Sequence, residues 1–464
     1  MISLPLIVSD PRVKTLFPNS ISRAFTYQGK YVQEDTIDPG VGYWLKFADS
    51  ENITIVGEPD TFLNVNVRKG WNMIGCSSVS IAVNQLEIDP GSDTIGTKIF
   101  SYGSAAGYYI SDTLFPGKSA WIKVNQDGSL YERKWLKVTG LPLYAIAPHP
   151  TESNVLFGSI SSDFSAGTYG AILKSTDAGA SWDTLVANVD GGSIMFDPSN
   201  ATTIYAGLGS VNTCRAGIIK STDAGQTWFR ADSGIVQHLD CYSAATVVLI
   251  DPNNTNIIYA SAGGTDIGIQ TYKSTDGGAF WFPLPIYYAV NCIPDTTIPQ
   301  TEVLTYAIDP ENSSVIYAGT ILSDTILYWS TDGGNTWDIR HCFSVPGPTY
   351  VGISGIYVSP DNSNTIFVGG KGGFYRSTDR GVSWQTSNNG LGDLTYGIGL
   401  ITTSNPNDFY CLKDSCFYRT LSGGLSWENI ICNVERTWFM ALDKVSKSIY
   451  VGTPSGIMRM KICL

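Results

Sequence analysis

The chain has 464 residues with 29 Lys and Arg against 41 Asp and Glu, a net charge of −12, so no face offers the basic surface that nucleic acid requires. Only 15% of residues are charged while Gly (48), Tyr (25) and Trp (12) are abundant, a composition poor in helix formers that predicts an all-β protein. No apolar run reaches the ~18 residues of a membrane span, the opening MISLPLIVSD lacks the basic start of a signal peptide, and with neither a CxxC pair nor a His cluster no metal and no cofactor is expected.

Residues 1–129 carry a duplication, with copies over about 1–62 and 63–129. FTYQGKYVQEDTIDPGVGYWLKF (Phe25 to Phe47) matches FSYGSAAGYYISDTLFPGKSAWIKV (Phe100 to Val124), anchored by P-G-x-x-x-W-[LI]-K at Trp44 and Trp121, and MISLP at Met1 matches MIGCS at Met73. The second copy is preceded by LNVNVRKGW (Leu63 to Trp71) and the first by nothing, so the first copy's sheet is expected to have an unpaired edge. A strand donated to that edge by a neighbouring copy or an upstream segment would build a surface array or filament. The competing expectation is an edge covered by the second domain or by residues 3–10 of the same chain.

From residue 130 onward the period changes. Six boxes of the form S/T-x-D-x-G-x-x-W run from KSTDAGASW (Lys174 to Trp182) to RTLSGGLSW (Arg419 to Trp427), with Asp177, Asp223, Asp276, Asp332 and Asp379 at the acidic position and Ser422 in the sixth. Their tryptophans are Trp182, Trp228, Trp281, Trp337, Trp384 and Trp427, spaced as in propeller blades. Upstream of each box lies an apolar run, a D-P-x-N turn and a second apolar run, as in IMFDPSNATTIYAG from Ile194. Counting the degenerate copies from Ile146, Leu400 and Ala441, there are seven such segments. Each unit reads as strand A, the D-P turn, strand B, a variable loop, strand C, the Asp-containing turn and strand D. The seventh unit lacks its own strand D, and LYERKWLKVTGLP (Leu130 to Pro142) supplies one, placing Trp135 at the box position. The prediction over 130–464 is a seven-bladed β-propeller closed by an N-terminal outer strand.

The box residues resemble Asp-box (BNR) repeats over about residues 131–464. The resemblance implies the sialidase-like β-propeller superfamily, seen in sialidases, xyloglucan-active glycosidases, sortilin-type receptors and photosystem II assembly factors. The N-terminal pair, with GWNMIG (Gly70 to Gly75), looks like a GWN-type repeat of secreted and cell-surface bacterial proteins. The box itself reads as a structural hairpin device: Asp accepts backbone N–H bonds, Gly allows positive φ and Trp fills a slot between strands.

A binding site is therefore expected on the opposite rim. The long D–A loops there carry Asp240, Tyr242, Tyr287, Tyr288, Asp295, Glu302, Phe343 and Tyr350, and the first two B–C loops add Asp163, Tyr169 and Arg215. Such a rim suits a sugar or a protein loop. Cys214 with Cys241 and Cys292 with Cys342 are candidate disulfides between neighbouring blades, which need an oxidising compartment; Cys411 and Cys416 flank a hairpin. These features lead to the expectation of an extracellular or cell-surface binding or structural protein whose propeller meets a protein or polysaccharide partner. The alternative is a glycoside hydrolase, which needs two carboxylates roughly 5 to 9.5 Å apart; Asp240, Asp295 and Glu302 are the candidates. No R-I-P triplet marks a sialidase.

Overall fold

The structure, a computed structural model, describes residues 1–462 apart from 28, 50–51, 60–62, 90–97, 104–106, 133–134, 162–169, 210–216, 236–243, 265–267, 291–292, 300–302, 321–324, 344–351, 371–372, 392–397, 403–406, 414–415, 432–436 and 438. The protein is nearly all-β: among the described residues the helical segments are Val13–Leu16 and the single 3-10 turn Val83–Gln85. No helix among them is long and apolar enough to cross a membrane. The chain forms two compact units, one of Met1–Lys134 with Lys461–Leu464 and one of Trp135–Met460.

In the larger unit each sequence repeat becomes an antiparallel meander. The first runs Ala145–Pro148, Leu156–Ile160, Ala171–Ser175 and Asp183–Ala187, strands A to D in chain order. The same order recurs from Asp190 to Arg230, Ala244 to Pro283, Val303 to Phe343, Ile353 to Thr386 and Ile398 to Ile431. One further sheet draws on distant parts of the chain: Phe439–Asp443, Ser448–Thr453 and Gly456–Lys461 are completed by Leu136–Thr139, with Leu136 opposite Arg459 and Lys137 opposite Met458. This succession of four-stranded meanders is a β-propeller.

Strand B lies between two other strands of its sheet and between neighbouring sheets, which is why it is apolar without alternation: Thr203 to Leu208 are all buried. Apolar clusters join successive sheets, as where Phe157 and Ile172 meet Ile194 and Ile204, or Tyr259 meets Tyr306 and Ile308. Tyr450 and Ile457 meet Leu143 and Leu156 of the first meander in the same way. An aromatic ring recurs at one place on strand B, at Phe157, Tyr205, Tyr259, Phe367 and Tyr410. Its cross-strand partner is a cation, Lys174, Lys220, Lys273, Arg376 or Arg419, held 5.0 to 5.8 Å from the ring centroid. In the fourth meander Trp329 replaces the cation and stacks on Tyr317 at 6.4 Å, while Arg340 covers Trp329 at 4.1 Å.

Trp135 stands directly before strand Leu136–Thr139, as each box tryptophan stands before its strand D. It packs edge-on against Phe417 at 5.4 Å. Trp427 meets Phe374 at the corresponding place, its ring tilted by 31° at 4.9 Å, and Phe417 and Phe374 are both the second residue of their strand C.

In the smaller unit, one sheet has the order Gly107–Ser111, Ile99–Gly103, Ala120–Val124, Gly70–Ile74. Phe100 lies opposite Trp121 and Tyr102 opposite Tyr108. A hairpin of Ala24–Tyr27 with Tyr31–Glu34 sets Tyr27 opposite Tyr31, and Phe25 bridges to Trp44. The chain crosses itself closely at Gly75, where a Cβ would come within 2.5 Å of the Ser3 Cβ. Gly128–Glu132 pairs with Asn64–Val67 and Leu86–Asp89, so Leu130 to Glu132 stay with this unit rather than with the propeller, as a boundary at 130 would have it. The expected open edge is taken up within the chain: Ile2–Ser3 pairs with Gly42–Tyr43 and Leu6–Ile7 with Glu58–Pro59. These pairings give no support to self-assembly through that edge.

Candidate functional site

The boxes fold into one hydrogen-bonded turn. Ser175 donates its hydroxyl to Asp177 Oδ1 at 2.8 Å and accepts the Gly179 N–H at 2.8 Å. Asp177 Oδ1 accepts the Ser181 N–H at 2.9 Å, Oδ2 accepts the Ser181 hydroxyl at 2.6 Å, and Trp182 Nε1 donates to Gly179 O at 2.8 Å. Asp223 with Thr227, Asp332 with Thr336 and Asp379 with Ser383 repeat this pattern. Asp276 has Phe280 at the hydroxyl position and keeps the N–H bond, while Ser422 accepts the Ser426 N–H in place of an aspartate. Trp281 and Trp427 turn their indole N–H instead to Ala231 O and Ser387 O.

These bonds stabilise the ionised carboxylate. The Ser181 hydroxyl and N–H, followed by the Ser175 hydroxyl, hold Asp177 down at about 2, and Thr227 and Ser383 do the same for Asp223 and Asp379. A group so held is a poor proton donor at neutral pH. Each box also leans on the turn between strands A and B: Ala178 N–H donates to Asn154 O, Ala224 N–H to Thr202 O and Arg380 N–H to Asn364 O. Boxes and D-P turns therefore share one rim.

The residues expected on the opposite rim divide into three groups. Asp163, Tyr169, Arg215, Asp240, Tyr242, Glu302 and Tyr350 lie outside the described residues. Tyr288 and Asp295 are cross-strand partners in a hairpin, Tyr287–Val290 with Ile293–Pro299, which the long loop after Trp281 forms; Tyr287 is partly exposed and its carbonyl accepts the Tyr328 hydroxyl at 3.0 Å. Phe343 requires correction as a rim residue. Strand D of the fourth meander extends to it, and it is buried among His341, Tyr375 and Trp384 at 4.6, 4.7 and 5.1 Å.

Cys342 and Cys416 are disulfide-bonded; Cys214, Cys241 and Cys292 lie outside the described residues. Cys411 is a buried thiol. Among the described residues no three His, Cys, Asp or Glu side chains come together to hold a metal ion. A cleft in the smaller unit, lined by Tyr27, Trp71, Phe100, Tyr108 and Trp121, was missed by the sequence reasoning.

No family model matches the chain. It is 26% identical over 278 residues to a xyloglucanase of Acetivibrio thermocellus, covering 51% of this chain and 32% of that protein. It is 25% identical over 289 residues to a xyloglucanase of a Paenibacillus species, covering 54% and 27%. Among solved structures it is similar to an ancestral GH74 enzyme (17% identity, TM-score 0.49, 69% of this chain and 45% of that one). It is also similar to YCF48 from Cyanidioschyzon merolae (15%, 0.49, 70% and 98%). The chain spans about a third of the length of the curated relatives it matches. That sequence similarity to enzymes overturns the expectation of a non-enzymatic interaction or structural module.

Proposed function

We propose that the chain is a glycoside hydrolase acting on a polysaccharide, with the loop rim of the propeller as its active face. The observation that carries this reading is the match of about half the chain (51%) to a xyloglucanase. Cleavage of a glycosidic bond needs one carboxyl group kept protonated as the acid and a second as base or nucleophile, roughly 5 to 9.5 Å apart. The box aspartates are held low and make poor acids; the candidates are the long-loop carboxylates singled out in the sequence, Asp240, Asp295 and Glu302. Asp295 is the cross-strand partner of Tyr288 in the hairpin after Trp281.

The remaining architecture is read in the same way. The four-stranded sheets are seven blades, the last closed by Leu136–Thr139; the Trp135–Phe417 contact, equivalent to Trp427–Phe374, supports this. The smaller unit is a tandem pair; the matching registers of Phe25 with Trp44 and Phe100 with Trp121 support that. The disulfide-bonded Cys342 and Cys416 favour an extracellular setting.

The test is release of reducing ends from soluble xyloglucan and other neutral β-glucans by the purified chain. Turnover is expected, with two of the variants Asp240→Asn, Asp295→Asn and Glu302→Gln losing about 100-fold or more in kcat. No release from any of these polymers would sink the proposal.

A further inference from the structure

The sheet of the smaller unit breaks the rule that one face of an antiparallel sheet is apolar and the other wet. Its inner face is ordinary: Ile74, Ile99, Ala120, Ile122 and Val124 are buried in one apolar cluster. The alternate positions should be polar, yet the pairs Phe100 with Trp121 and Tyr102 with Tyr108 stand on the outer face, and Trp71 shares it opposite Lys123. Tyr27 comes to this face from the neighbouring hairpin, its ring 5.0 Å from Trp121 at 70°. Trp71 meets Phe100 edge-on at 5.6 Å. The result is a cleft of about 430 Å³ lined by Tyr27, Trp71, Phe100, Tyr108 and Trp121. Trp71 is 42% exposed and Tyr108 54%, so rings that could have been buried stand in water.

We propose that this cleft is a second glycan site, one that binds a neutral β-linked glucan chain and performs no chemistry. The inference rests on the hydrolase reading for its ligand class, and the cleft itself restricts that class further. None of the five lining residues is charged, which suits a neutral ligand. With a net charge of −12 on each molecule, a second copy of the chain would meet repulsion there rather than attraction. The rings that line it are mostly ones with polar tips, two indoles and two phenols, which suits a ligand with C–H faces and hydroxyl edges, as β-linked pyranoses have. The ring contacts are also reciprocal: Tyr27 meets Trp121 while Trp44 meets Tyr102 at 5.3 Å and 66°. Such reciprocity offers a repeating polymer two similar platforms.

The experiment is affinity electrophoresis and titration calorimetry of the full chain with soluble xyloglucan, mixed-linkage β-glucan and cello-oligosaccharides, beside Trp71→Ala, Tyr108→Ala and Tyr108→Phe. The expected result is binding by the parent chain, roughly tenfold or greater weakening in each Ala variant, retention in Tyr108→Phe, and unchanged thermal unfolding in all. Tyr108 is more than half exposed, so its variants keep the test alive should Trp71→Ala misfold. Equal binding by parent and Ala variants overturns the inference even if the chain hydrolyses the polymer. Failure of the parent to bind any neutral glucan overturns it as well, as does a parent dimer that the Ala variants convert to monomer. Binding that the variants lose, in a chain that releases no reducing ends, supports the cleft while removing the hydrolase reading.

Discussion

At the residue scale the Asp box makes the fold sensitive to acid. Asp177 is held at about 2 against an ordinary 3.8, and Asp223 and Asp379 behave alike. Because the folded value is depressed, the stability these carboxylates contribute is present above about pH 4 and is lost as pH falls through about 2. Tryptophan fluorescence followed down in pH should therefore show the propeller intact at pH 4 and unfolding between about pH 4 and 2; a transition already complete at pH 5 would contradict the assignment. The sixth box supplies the converse test. Ser422 accepts the Ser426 N–H at 3.0 Å in a turn otherwise built like its neighbours, with the Thr420 hydroxyl oxygen accepting the Gly424 N–H. Ser422→Asp should complete the turn and raise stability by about 1 kcal/mol in denaturant titrations at pH 7, an advantage that disappears below pH 3.

At the element scale the boxes also fix how one sheet meets the next. Gly225 has φ +86°, and a Cβ there would lie 2.8 Å from Phe157 Cε1 in the preceding sheet. Gly225→Ala should cost about 3 kcal/mol, part backbone strain and part overpacking, seen as a thermal midpoint several degrees lower without loss of strand content. Much of this was legible in the sequence because turn chemistry is local and recurs: Asp177, Gly179 and Trp182 announce their own hairpin, and strand D begins where each Trp predicts. The cation over five of the strand-B rings was less visible, since Lys174 and Phe157 are joined across a sheet; the Lys or Arg directly before the box Ser or Thr in five of the six boxes was the available signal. Phe343 was misplaced because a long interval between boxes was read as loop, whereas part of it lengthens strand D. The aromatic cleft escaped notice since it is assembled from strands distant in sequence, although Trp71, Phe100 and Trp121 at outward positions carried the hint.

At the scale of the whole molecule, stability depends on a joint and on covalent ties. Trp135 seats Leu136–Thr139 against Phe417, so Trp135→Ala should destabilise by about 3 kcal/mol, comparable to Trp427→Ala. A Trp135→Ala variant with an unshifted melting curve would deny that residue its box-like role. Reduction of the disulfides that hold Cys342 and Cys416 should likewise lower the midpoint, with typical ties worth about 2 to 4 kcal/mol; dithiothreitol in a melting experiment reads this directly.

The pairing of Leu136–Thr139 with Gly456–Lys461 also sets a timetable for biosynthesis. Each meander closes on near neighbours and can form soon after its own residues leave the ribosome. The early strand cannot: its partner is made more than 300 residues later, a delay of tens of seconds at ordinary elongation rates. During that interval Leu136–Thr139 is an unpaired edge of the kind that recruits other chains. A lysine on an edge blunts such pairing, so a Lys137→Val chain should show its defect in soluble yield rather than in the stability of the finished protein.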